Sequence, residues 1–423
     1  MVVVKASADK LGSARATASG RTGMTTSLSL YVHIPFCAAR CPYCDFATAP
    51  ATSALRARYL DALATEIRRE GVALDRPSVR TLYIGGGTPS LLEPDEIAPL
   101  AEALRASLDL GLEEATVEAN PATLDRARLD AWHALGVTRV SLGAQSLQAD
   151  GLRALGRTHQ PEDTAVAVDA IRSLGLAVSL DLIFGWPGQR ADAWRADLGG
   201  AIALRPDHLS CYPLELVLEP EEAVANWPNP GWEGVRRWRT AAAAAQADDE
   251  GMARLYRIAE RTLAAAGYRH YEIANWSRPG SECLHNLVYW RNAEWLGVGA
   301  GAHSHLGGLR SRRPGSLIAY LAAIADEEPR IPDPGTDDES DTAMLALRLD
   351  EGLDLDGYAR RFGTRAAQRT RVALVSPIAH GLVRLNGDVA RLTPRGRLLA
   401  SEVFVHLLRD DDVATRTRAL AAT

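Results

Sequence analysis

The strongest constraint on how this chain can fold is an alternation running from Leu28 to Tyr212. Short period-two or apolar runs take turns with amphipathic helical stretches. Leu30, Val32 and Ile34 alternate with Tyr31 and His33, which reads as a strand. Further strands are expected at Thr81–Ile84, Thr116–Ala119, Thr138–Leu142, Ala177–Ile183 and His208–Tyr212. Helices are expected between them, at Ser53–Gly71 (a serine start and a glycine stop), Asp95–Leu108, Thr123–Leu135, Pro161–Leu174 and Ala191–Leu204. Repeated βα units imply a parallel sheet with right-handed crossovers. Six units rather than eight predict an α/β fold built on an incomplete (β/α)6 TIM-like barrel, open on one side. Chemistry in such folds sits at the C-terminal ends of the strands.

The remaining chain reads differently. A long Ala-rich helix is expected over Val235–Ala266, then a strand over Tyr268–Trp276. Residues 29–266 form the expected core and 267–336 a β-rich segment. Residues 337–408 form a smaller unit of three helices, a hairpin around Asn386-Gly387-Asp388 and a last helix, the order of a winged helix. That fold alone does not fix a function. Residues 1–28, with Asp9 their only acid, read as a disordered tail, a start placed too early, with Met24 the true initiator, or a transit peptide; 409–423 read as a solvated tail. The 423 residues carry a net charge of −6, which gives no reason to expect nucleic-acid binding. No apolar run is long enough for a membrane span, although peripheral contact stays open.

Five cysteines are unevenly placed. Cys37, Cys41 and Cys44 fall within eight residues directly after the first strand, while Cys211 and Cys283 stand alone. An odd count with one tight cluster points to a reducing compartment, hence a cytoplasmic location, and to a metal or redox site. Thiolates on a short loop are the usual ligands of an iron–sulfur cluster. Three of them leave one iron of a four-iron cluster open to a chelating small molecule. A structural zinc would want a fourth Cys or His nearby, and position 46 is Phe. Cys211 reads as a buried strand residue.

The stretch Tyr31-Val-His-Ile-Pro-Phe-Cys37-x3-Cys41-Pro-Tyr43-Cys44-Asp-Phe46 resembles the radical S-adenosylmethionine (SAM) superfamily. It is most similar to the branch that holds oxygen-independent coproporphyrinogen III dehydrogenases and heme chaperones. The resemblance implies a [4Fe–4S] cluster on Cys37, Cys41 and Cys44, with SAM chelating the fourth iron and an external reductant supplying the electron that cleaves it. It also makes Gly85-Gly86-Gly87-Thr88-Pro89 a loop for the SAM amino group. That pattern is neither a dinucleotide fingerprint nor a P-loop. Four polar residues at strand ends, Glu118, Gln145, Arg157 and Asp181, match SAM-binding motifs of the family. Carboxylates can accept from an ammonium group or ribose hydroxyls, and Arg can pair with a carboxylate. Tyr31 and Tyr43 are expected to pack on an adenine or on the cluster.

Two features choose within the branch. The dehydrogenases carry a further Cys where this chain has Phe46, as heme chaperones do. His285-Asn286-Leu-Val-Tyr289-Trp290 matches the H-N-x-x-Y-W pattern tied to heme binding in those chaperones. Imidazole is a common heme-iron ligand, and aromatic rings offer flat apolar surface. Cys283 is a candidate thiolate ligand, and the loop carrying His303 and His305 reads as structural support. The expectation is therefore a heme-binding chaperone delivering heme to apo-hemoproteins. The open side of the barrel and the His285 segment would form the heme platform. The alternatives are an oxygen-independent coproporphyrinogen III dehydrogenase and a radical SAM methyltransferase.

Overall fold

The computed structural model describes residues 28–50, 52–216, 231–333 and 338–408. The expected N-terminal tail, apart from Leu28, and the expected C-terminal tail lie outside the described residues. So do residues 226–230, the start of a Trp-rich stretch, Asn226–Trp238, that leads into the expected Ala-rich helix.

All six expected strands are present: β1 (Leu28–Ile34), β2 (Ser78–Gly86), β3 (Asp109–Ala119), β4 (Arg139–Gln145), β5 (Ala177–Phe184) and β6 (His208–Pro213). They pair in parallel in chain order. The helices between them include α1 (Ser53–Ala73), α2 (Pro94–Ser107), α3 (Arg126–Leu135), α4 (Ala149–Ala154), α5 (Pro161–Arg172) and α6 (Ala191–Ala203). Gly71 does not stop α1 as expected. The helix runs through it, because Gly71 is where α1 meets the end of α2: a Cβ there would lie 2.5 Å from the Ser107 carbonyl oxygen.

Beyond β6 the expectations need three corrections. The Ala-rich stretch is two helices, α7 (Gly231–Ala245) and α8 (Asp249–Ala265), because the Asp248 carboxylate caps a new start by accepting from Gly251 N–H. The expected strand at 268–276 is a hairpin, β7 (Arg269–Glu272) and β8 (Asn275–Ser277), packed antiparallel on β6. The His285 motif lies not in β structure but on a short helix, α9 (Leu284–Trp290).

After α9, β9 (Trp295–Val298) returns to lie parallel beside β1. The strands β10 (His303–Leu306), β11 (Leu309–Arg312) and β12 (Ile331–Pro332) extend that edge. The twelve strands run in the order β12-β11-β10-β9-β1-β2-β3-β4-β5-β6-β8-β7, an unclosed ladder among the described residues. The region after residue 267 thus supplies both edges of the sheet. A separate core around Leu347, Leu355, Leu374, Ala390 and Val403 organises the C-terminal helices and the hairpin Val383–Asn386/Val389–Leu392.

Alternation along the parallel strands sends successive residues to opposite faces. Val32, Leu82, Val117, Val140, Leu142, Leu180 and Leu209 are fully or almost fully buried in the core cluster. Cys211 sits there too, as its reading as a strand residue anticipated. The other face carries Tyr83, Thr116, Glu118, Ser141, Ser179, Asp181, Ser210 and Tyr212, and these line a cavity. A polar face in the middle of a parallel sheet needs something polar to meet, and the cavity is where that occurs.

Candidate functional site

The cysteine loop leaves β1 and is tied down at both ends. Phe36–Cys37 pairs with Ala49–Pro50, and His33, at the end of β1, is hydrogen-bonded through Nε2 to the Ala47 carbonyl. The glycine run at the end of β2 knits into it: Gly87 N–H donates to Ile34 O and Thr88 N–H to Phe36 O, both at 2.8 Å. No side chain fits there. A Cβ on Gly86, whose φ is +115°, would lie 2.4 Å from the His33 ring, and one on Gly87 2.6 Å from the Pro35 backbone.

Cys37, Cys41 and Cys44 all face a cavity of about 390 Å³. Cys37 Sγ lies 3.5 Å from Thr88 Oγ1, and Arg157 Nη1 donates to Cys41 Sγ at 3.4 Å. Burial raises the Cys37 thiol to about 11, and the Cys44 thiol to about 12. Among the described residues no three His, Cys, Asp or Glu side chains converge on a single-ion site. Three thiols around one cavity fit the donor set of an iron–sulfur cluster. The cavity volume lies within the roughly 300–1,000 Å³ of small-ligand sites.

The expected SAM residues separate into two groups. Tyr43, Gly86, Gly87, Thr88, Glu118, Gln145, Arg157 and Asp181 line this one cavity. Glu118 accepts from Tyr83 O–H and from Gly86 N–H, each at 2.9 Å. Burial lifts its carboxyl to about 7, and the nearby Asp181 adds to the rise. Burial also lifts Asp181 to about 6, against hydrogen bonds from Ser210 and Ser141. Gln145 holds a left-handed backbone, φ +64°, at the end of β4. Arg157 also donates to Gly143 O at 2.9 Å. Tyr31 is not among the lining residues. It sits behind Tyr83, the two rings stacked at 6.2 Å, with its hydroxyl 3.0 Å from His33 Nδ1.

Of the four expected heme residues, only Asn286 reaches the cavity. His285 is completely buried. Its Nδ1 lies 2.9 Å from Thr81 Oγ1 and its Nε2 2.8 Å from the Tyr289 hydroxyl. Burial lowers its pKa to about 3, so the imidazole is neutral. Trp290 points away, with the Arg348 guanidinium 4.5 Å above its ring. The open platform expected for this segment is absent from this arrangement, because α9 packs its histidine into the sheet. Cys283 donates instead to the Glu114 carboxylate at 3.3 Å. His305 is buried and tied to Ala293 O, while His303 is largely exposed.

Sequence reasoning missed one side chain at the cysteine loop. Arg239 of α7 is fully buried. Its Nε donates to Pro42 O at 2.8 Å, one Nη to Cys44 O at 3.0 Å, and it pairs with Asp45 at 2.7 Å. A signal existed: Arg239 shares the i, i+3, i+4, i+7 face with Val235, Trp238 and Ala242, an odd place for a lone charge.

Residues 31–198 match the family model described as the radical SAM superfamily, and 336–399 match the HemN C-terminal domain. The heme chaperone HemW of Mycobacterium tuberculosis (strain H37Rv) is 38% identical over 388 residues, covering 90% of this chain and 94% of that protein. The chain belongs to the heme chaperone HemW family. Members from Bacillus subtilis and Escherichia coli are each 32% identical, over 89% of this chain and 98% and 97% of their own lengths. This family lies within the radical SAM superfamily, so the chain's cofactors are a [4Fe–4S] cluster and SAM. A solved structure, coproporphyrinogen III oxidase (HemN) from Escherichia coli, covers 90% of both chains with a TM-score of 0.75. At 23% identity that likeness shows the fold alone. No helix among the described residues is long and apolar enough to cross a membrane.

Proposed function

We propose that this protein binds heme and passes it to apo-hemoproteins in the cytoplasm, with an external reductant serving its cluster. What carries the reading is the similarity, over nearly the whole length, to proteins named heme chaperones. Phe46 supports it, standing exposed on the cavity rim where the dehydrogenase pattern has a further thiol.

Cys37, Cys41 and Cys44 would hold the cluster, which when bound supplies one-electron chemistry to SAM. Glu118, hydrogen-bonded to Gly86, and Asp181 offer carboxylate acceptors for the SAM ammonium and ribose groups. Arg157, beside Cys41, offers a cation for its carboxylate. Tyr43 supplies an apolar wall. His285, Asn286, Tyr289 and Trp290 are assigned to heme.

The test is anaerobic reconstitution followed by separate heme-titration and coproporphyrinogen assays. Stoichiometric heme binding without decarboxylation is expected, and His285→Ala should lose heme while keeping its iron. Turnover of coproporphyrinogen even at about 0.01 s⁻¹ would replace this reading with the dehydrogenase.

A further inference from the structure

We propose that α9 is a latch: His285 becomes available to heme only when this helix leaves its seat on Glu114 and Thr81. The inference rests on the heme-binding reading above and adds how that site is controlled. The Glu114 carboxylate accepts from the Cys283 thiol at 3.3 Å and from the N–H groups of Leu284 and His285, both at 3.1 Å. Arg139, paired with Glu114 at 3.1 Å, donates also to Ser281 O and Glu282 O. The segment entering α9 is therefore gripped by one buried ion pair. The imidazole is clamped at both nitrogens, and Tyr83 lies 5.4 Å from its ring centre.

A heme iron needs a ring nitrogen with a free lone pair and open space beside it for a planar macrocycle. The docked helix provides neither. Of a neutral imidazole's two nitrogens, one carries the proton and the other the lone pair. The Thr81 hydroxyl gives its own proton to Ser29 Oγ at 2.8 Å, so Nδ1 carries the imidazole proton and the lone pair on Nε2 is committed to the Tyr289 hydroxyl. Nor does the cavity give access from the other side, since it reaches Cys283 and Asn286 but not His285 or Tyr289. A rotamer change alone would leave His285 enclosed, so the helix itself must move. Heme affinity is then reduced by the fraction of molecules in which α9 is released. Any change that weakens the seat without touching the heme motif should raise that fraction.

Thr81→Val does this with little change of shape, removing the hydroxyl at Nδ1 together with its bond to Ser29 Oγ. Glu114→Gln is the second variant; it lies outside the heme motif and weakens the acceptor that holds Cys283, Leu284 and His285. Leaving one buried nitrogen unpaired should increase the released fraction roughly five- to tenfold. Cluster-loaded, anaerobic wild type and both variants are mixed with heme, and Soret absorbance gives rates and affinities. In parallel, alkylation of Cys283, only 3% exposed, is followed by peptide mass spectrometry.

The latch predicts that Thr81→Val binds heme about five- to tenfold faster or tighter and alkylates faster at Cys283 without heme. It also predicts that heme speeds Cys283 alkylation in the wild type. Heme binding that depends on His285, with Cys283 still protected and both variants unchanged, would overturn the latch alone. Heme binding to none of the three proteins would overturn the functional reading, and this inference with it.

Discussion

Arg239 offers the sharpest test of how the cysteine loop is held. Replacing it with Met keeps the length and apolar stem but removes the guanidinium. The carbonyls of Pro42 and Cys44 then lose charged donors at 2.8 and 3.0 Å, and Asp45 loses its ion-pair partner. Each hydrogen bond from a charged donor contributes about 1.5–3 kcal/mol. Asp45 is one-third exposed, so its pairing adds little. Cys44 O keeps the Arg40 guanidinium as a donor at 3.2 Å, so the loss falls mainly on Pro42 O and is taken as about 3 kcal/mol, the upper end for one such bond. That destabilises the ordered loop about 100-fold relative to open forms, since about 1.4 kcal/mol is a factor of ten. The three cysteines proposed to hold the cluster lie on this loop, so the loss should appear as faster iron release. Reconstituted Arg239→Met, challenged anaerobically with a chelator, should lose iron one to two orders of magnitude faster than wild type. Its far-ultraviolet dichroism should be unchanged. Equal release rates would refute the claim that this side chain organises the loop.

Three further outcomes follow from the site. Replacing Cys37, Cys41 or Cys44 with Ala should abolish the iron–sulfur absorption and the count of about four irons per chain, whereas Cys211→Ala should retain both. Gly86→Ala should abolish SAM binding measured by calorimetry, because the Cβ would strike the His33 ring and the left-handed backbone resists a side chain; SAM affinity within twofold of wild type would contradict this. SAM affinity should fall about tenfold between pH 8 and pH 6. Glu118 has a raised pKa of about 7, so its negative charge is present above that value and lost as pH falls through it. Glu118→Gln should flatten that profile, leaving only the weaker titration of Asp181 near 6.

The parallel core was legible because each strand carries its own period, and most of the residues expected to bind SAM do line one cavity, since they lie on the cavity face of the strands or in the loops beyond them. What escaped was set by distant parts of the chain. Trp295–Val298 is only four residues long and glycine-bearing, so nothing local marks it as a partner for β1. Tyr31 was expected at the ligand because it precedes the cysteines, yet Tyr83 from the neighbouring strand stands in front of it. His285 carries a heme-associated pattern, but whether an imidazole is open or clamped depends on Thr81, about 200 residues earlier in the chain. Gln145, by contrast, was placed correctly at the end of its strand although its backbone is left-handed, because the Leu142-Gly143-Ala144 run identified the position without the angle.

The pairing of β9 with β1 also sets a timetable for synthesis. β1 and the cysteine loop leave the ribosome early, and β2 can cover one side of β1 soon afterwards. The other side stays a bare strand edge until Trp295–Val298 has been made, since Ser29 pairs with Trp295 and Val32 with Val298. Exposed edges recruit other strands, and nascent chains fold from the N-terminus as segments emerge. The Arg239 clamp and the β9 cover therefore arrive in that order, both long after the ligands they support. The first functional residues to be translated are among the last to be enclosed, so a chain stopped before Trp295 would present its cysteines beside an adhesive edge.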